Sequence, residues 1–167
     1  MNAAPVAEPE DGNPVRLAGT QGEVRAENHL FHLVDTGTPR TGDPDDQPPS
    51  PRRDDLATTG EGAVTFNSAL SDHYPHVTLE HWPAEPPAPQ GAWHGHTRLE
   101  LTLAGGRLTL FSGVSRLPAP HTLNPPPGHY TLDVWCRRQP AQSRFTTGEL
   151  IPHGAEQWLL QLWLTTR

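Results

Sequence analysis

Residues 97–112, T-R-L-E-L-T-L-A-G-G-R-L-T-L-F-S, decide the fold class. From Thr97 to Leu103, the apolar Leu99, Leu101 and Leu103 alternate with Arg98, Glu100 and Thr102, the period of two that a half-buried strand requires. Ala104-Gly105-Gly106 turns the chain, and Leu108 and Leu110 continue the inward face between Arg107 and Ser112. The pattern predicts a β-hairpin.

Similar signals recur on both sides of it. Upstream, Glu23 to Asp35 is apolar in both registers around Phe31, Leu33 and Val34, which implies a strand covered on two faces. Val64 and Phe66 mark a short strand at Ala63–Asn67, and V-T-L-E-H-W ends another at Trp82. Downstream, Tyr130, Leu132, Val134 and Cys136 alternate with Thr131, Asp133 and Trp135, and Gln157 to Leu164 alternates around Trp158, Leu160 and Leu162. No stretch of ten residues has a helical period. The expectation is an all-β, antiparallel β-sandwich of about seven to eight strands joined by long Pro-rich loops. Residues 1–22 read as a flexible tail and 23–167 as one domain, with 36–62 a long acidic Pro-rich loop and 139–156 a polar one.

Composition narrows the classes. Twenty Pro and 15 Gly hold the apolar share to 34 % of 167 residues. No run of ~18 apolar residues predicts a membrane helix. Met1 to Glu10 lacks a secretory pattern, so the expected compartment is the cytoplasm. One cysteine, Cys136, excludes an internal disulfide framework and reads as a buried, inert thiol. All twelve basic residues are Arg, the usage of a GC-rich genome, and the net charge of −7 argues against direct nucleic-acid binding while suiting a basic protein partner.

From Glu23 onward the order of features resembles the competence protein J family, whose best-known member inhibits a nuclease. The stretches that carry the resemblance are H-L-F-H-L-V-D, E-G-A-V-T-F before P-H-V-T-L-E, the 98–112 segment, P-P-P-G-H-Y-T-L-D-V-W-C, and Q-W-L-L-Q-L-W. The turn formed by Pro127, Gly128 and Tyr130 before an alternating strand is the most telling. The long 36–62 insertion departs from the family pattern. The resemblance implies a non-catalytic binding module that occludes a partner such as a nuclease, with no catalytic residue and no cofactor.

On that reading Asp43, Asp45, Asp46, Asp54 and Asp55 imitate phosphate charge for a basic cleft, and Trp135 and Trp163 anchor the apolar contact. The two Trp share the register opposite Val134 and Leu162, so they reach the outward face unless a loop such as 139–156 folds over them. The alternative reading starts from His94-Gly95-His96-Thr97-Arg98-Leu99-Glu100, whose H-x-H-x-x-x-E spacing resembles a cupin metal site, with His129 as fourth ligand and Zn, Mn or Fe as the metal. A third reading takes the Trp pair as a sugar-stacking platform of a carbohydrate-binding module.

Overall fold

The computed structural model describes residues 12–37, 50–139, 142–146 and 149–166. Its strands are β1 (Ala18–Glu23), β2 (Leu30–Asp35), β3 (Ala57–Gly60), β4 (Ala63–Asn67), β5 (Tyr74–Trp82), β6 (Gly95–Leu103), β7 (Leu108–Ser112), β8 (Pro118–Leu123), β9 (Gly128–Arg138), β10 (Gln142–Thr146) and β11 (Glu149–Leu164). Among the described residues there is no helix, hence none long and apolar enough to cross a membrane. One sheet has the order β1-β5-β11-β9-β6, with β10 also on β11, and the other the order β3-β4-β2-β7-β8. Every pairing is antiparallel except that of β5 with β11. The chain is the all-β sandwich that the alternation implies.

The alternating residues meet in one core between the sheets. Tyr130, Leu132, Val134, Leu79, Leu160 and Leu162 from the first sheet pack towards Phe31, Leu33, Val64, Phe66 and Leu110 from the second. Phe31 stacks on Phe66 at 4.8 Å, and Trp158 sets its edge against both rings at 5.1 and 5.6 Å. The Pro-Gly-x-Tyr turn is closed by Tyr130, whose hydroxyl donates to the Pro126 carbonyl at 2.5 Å.

The 97–112 segment behaves differently from the expected hairpin. β6 pairs with β9, whereas β7 pairs with β2 and β8, so the turn carries the chain from one sheet to the other. Asp35 gathers the turn by accepting from the backbone N–H groups of Gly37 (3.0 Å), Gly105 (2.7 Å) and Arg107 (3.1 Å). Gly106 sits at φ +71, and a Cβ there would lie 2.5 Å from the Pro125 carbonyl oxygen. Burial opposes the charge on Asp35, but these N–H donors outweigh it and hold its carboxyl below the usual range. A hairpin and this crossing bury the same leucines, so alternation does not distinguish them.

Other boundaries also move. β1 begins inside the segment expected to be tail and pairs along β5. β3 forms at the end of the 36–62 segment and pairs with β4. The expected 139–156 loop contains β10 and the first half of β11. β2 is buried in both registers, as its apolar pattern requires.

Candidate functional site

Strand register aligns the outward side chains of the first sheet in three rows. His96, Trp135, Leu159 and Thr78 form one, Arg98, Asp133, Gln161 and Glu80 the next, and Glu100, Thr131, Trp163 and Trp82 the third. Trp135 and Trp163 therefore both stand on the outward face, with the charged row between them.

That middle row is tightly bonded. Arg98 donates from Nε to Asp133 Oδ1 and from Nη2 to Oδ2, both at 2.8 Å, and Nη2 also reaches Glu85 at 2.6 Å. His96 Nε2 donates to Asp133 Oδ1 at 3.0 Å while its ring stacks on Trp135 at 3.8 Å. Asp133 is only 4 % exposed. Burial alone would raise its pKa, but the hydrogen bonds and charges of Arg98 and His96 hold it below the usual carboxylate range. The bonds to Asp133 and then Glu85 raise the pKa of Arg98 in turn. Glu80 accepts from Arg16, Trp82 and Gln161 at 2.9–3.2 Å.

The cover over this face comes from the Pro-rich connection 83–94. β5 and β6 have β11 and β9 between them, and the other side of the sheet is filled by core, so the connection crosses the outward face. Pro86 is buried, Glu85 holds Arg98, and Trp93 meets Trp135 edge-on at 6.5 Å beneath the Arg137 guanidinium. Trp163 lies under Arg98 at 5.1 Å and is 6 % exposed, and Trp135 is half-buried. The pair is thus no open platform for a sugar ring. Asp133→Ala releases both Arg98 and His96. We expect it to lower stability by about 2 kcal/mol and to change Trp fluorescence, measured by denaturant titration.

The metal-ligand set does not assemble. β6 runs unbroken through 95–103, which places His96 and Glu100 about 13 Å apart at ~3.3 Å per residue. His96 is held by Asp133, His129 Nδ1 pairs with Thr102 Oγ1 at 2.8 Å, and His94 Nδ1 accepts from the Arg138 N–H at 3.2 Å. Among the described residues no group of three or more His, Cys, Asp or Glu is placed to hold a metal ion. The cupin-like reading is corrected: the spacing is real in sequence, but a straight strand separates its members. Cys136 is buried, and burial pushes its thiol up to about 12, as expected of an inert cysteine.

Asp54 and Asp55 are exposed beside a cleft of about 850 Å³, which Arg53, His29, His94, His96 and Arg138 also line; Asp43, Asp45 and Asp46 lie outside the described residues. On the cleft floor is a feature that the sequence reading missed. Glu156, 1 % exposed, accepts from Ser68 Oγ, the Ala69 N–H and Trp158 Nε1, each at 2.9 Å. Since Ser68 spends its proton on Glu156, His73 Nε2 is the donor to Ser68 Oγ at 2.5 Å, and the Leu70 N–H also donates there at 3.2 Å. Ser68 thus bonds Glu156, His73 and the Leu70 N–H together, and the cluster anchors the 68–73 segment to β11. A lone Glu in an alternating strand gives no sequence signal of this.

No protein-family model and no curated protein matches the sequence. Solved structures do match in fold. ComJ from Bacillus subtilis, an inhibitor of the DNA-degrading activity of NucA, aligns at TM-score 0.62 and 10 % identity over 91 % of this chain and 98 % of its own. The product of crocagin biosynthetic gene J aligns at TM-score 0.56 and 12 % identity over 89 % and 98 %. The resemblance read from the order of motifs is therefore a resemblance of fold, and at these identities the fold is what the chain shares with ComJ.

Proposed function

We propose that this chain is a non-catalytic protein-binding module that occludes a basic partner of the nuclease kind. The distribution of charge carries the reading. Glu8, Glu10 and Asp11 supply three negative charges, and in 36–62 five Asp and Glu61 outnumber Arg40, Arg52 and Arg53 by three. Six of the seven surplus negative charges thus sit in two segments, while the rest of the chain is nearly neutral. Negative charge concentrated on a segment, with no basic stripe, steers association towards a positively charged cleft.

The ends of the acidic segment are held by the sandwich. Gly37 lies against Gly105, and Leu56 packs on Gly95, so the segment is anchored at opposite ends of β6. Asp43, Asp45, Asp46, Asp54 and Asp55 take the place of phosphates, and Trp135, once the 83–94 cover shifts, gives the apolar contact alongside Trp163. ComJ, whose fold is similar, inhibits a nuclease, which supports that partner class.

The test is capture from a lysate of the native host on the immobilised chain, with the chain carrying all five Asp→Lys changes beside it. A basic protein that degrades DNA, that the wild-type chain inhibits, and that is retained at least tenfold less by the charge-reversed variant is the expected result. Retention unchanged by charge reversal and by salt overturns the reading.

A further inference from the structure

The geometry points to self-association of this chain through the free edge of β6. β9 directs the backbone of its odd-numbered residues towards β11: the Thr165 N–H bonds to the His129 carbonyl there. Its even-numbered residues face β6, where the Cys136 carbonyl accepts from the His94 N–H. Gly95, Thr97, Leu99 and Leu101 therefore spend their backbone groups on β9. The N–H and C=O groups of His96, Arg98, Glu100 and Thr102 point the other way, and among the described residues nothing bonds to them.

Among the described residues β6 thus ends the first sheet with the backbone groups of four residues unbonded, a liability that folds ordinarily blunt. The edges formed by β8, β3 and β1 are blunted. β8 carries Pro118 and Pro120, β3 has four residues, and β1 holds Gly19 and Gly22. β6 carries instead two opposite charges that are self-complementary. When two copies of β6 pair antiparallel about Leu99, Arg98 of each lies opposite Glu100 of the other, and His96 opposite Thr102. The residues facing each other are the ones whose backbone groups are free, so about eight backbone hydrogen bonds form across the two-fold axis. A slip of two residues places Arg98 against Arg98 or Glu100 against Glu100, and a slip of one mismatches the backbone groups, so the charges select one register.

The side chains permit this pairing. Glu100 is exposed and has no ion-pair partner among the described residues. Arg98 uses Nε and Nη2 on Asp133 and Glu85, leaving Nη1 for Glu100 of the second copy. The pairing extends the first sheet across both molecules and uses none of the five Asp assigned to the basic partner.

Sedimentation equilibrium of the full chain, from about 5 to 500 µM, tests it. A reversible dimer with a dissociation constant on the order of 10–100 µM is expected, because an edge pairing buries less than a standard interface. Glu100→Pro removes an N–H that faces the open edge and leaves the β6–β9 ladder intact, so it should be monomeric throughout with an unchanged circular dichroism spectrum. Glu100→Arg, which opposes two Arg, should weaken the dimer at least tenfold at low salt. A wild-type chain that stays monomeric up to the highest concentration, or a dimer that survives Glu100→Arg unweakened, overturns the inference.

Discussion

Glu156→Ala is expected to lower the stability of the chain by about 3–5 kcal/mol, roughly a fifth or more of what a domain commonly has. The carboxylate is buried and accepts from Ser68, the Ala69 N–H and Trp158 Nε1. Deleting it leaves three donors without acceptors, each costing about 1–3 kcal/mol where water does not replace the partner. Entry of water from the adjoining cleft recovers part of this, which keeps the total below the sum of the single costs. Glu156→Gln preserves shape and one acceptor but turns an NH2 towards a donor, so an intermediate loss of about 2 kcal/mol is expected. Denaturant titration measures both, and hydrogen exchange at Ala69 reports the local release of 68–73. A loss below about 1 kcal/mol for Glu156→Ala would show that the cluster does not anchor the segment.

Stability is expected to fall as the pH drops below about 6.5, the ordinary histidine value. Burial lowers the pKa of His32, His73 and His81 in the folded chain. His32 bonds through Nδ1 to Thr65 Oγ1 and through Nε2 to the Gly113 carbonyl, and His73 Nδ1 has no partner to receive a new proton's hydrogen bond. Glu156 and Asp72 favour the protonated form of His73, yet burial prevails. Each of these groups binds its proton more weakly in the fold than in the unfolded chain, so its contribution is complete above about pH 6.5 and is lost as pH falls towards the lowered folded value. Three such groups bound the slope at about 4 kcal/mol per pH unit, the limit of one full proton taken up by each on unfolding. Asp35 and Asp133, held below their usual range, add a second loss below about pH 4. Urea midpoints from pH 8 to pH 5 test the first step. A flat profile across that range refutes it, and His32→Gln should make the slope shallower.

Much of the fold was legible because alternation is a local property. A side chain every second residue either faces the core or does not, and Leu99, Leu101, Leu132, Val134 and Leu160 declare their faces whatever strand lies beside them. The weakest segments carry no such signal. β1 is A-G-T-Q-G-E with no apolar alternation, and β8 is P-A-P-H-T-L. Both are held by the ladder to a neighbour rather than by a pattern of their own. Part of the candidate face was legible as well: the register of Trp135 and Trp163 put them outward. Their cover was not, because it depends on the 83–94 connection having to pass over β11 and β9.

By itself, then, the sequence determined where most strands run, which side chains build the core, that Cys136 is buried, and where the negative charge is concentrated. Only the tertiary structure decided that 97–112 crosses between sheets, that Asp133 is buried between Arg98 and His96, that His96 and Glu100 stand too far apart to share a metal, and that Glu156 gathers Ser68 and Trp158. The physical reason is common to all four. Backbone hydrogen-bonding groups are alike in every residue, so a strand's own sequence does not name its partner, and the burial of a polar side chain is set by segments distant in the chain that happen to close over it.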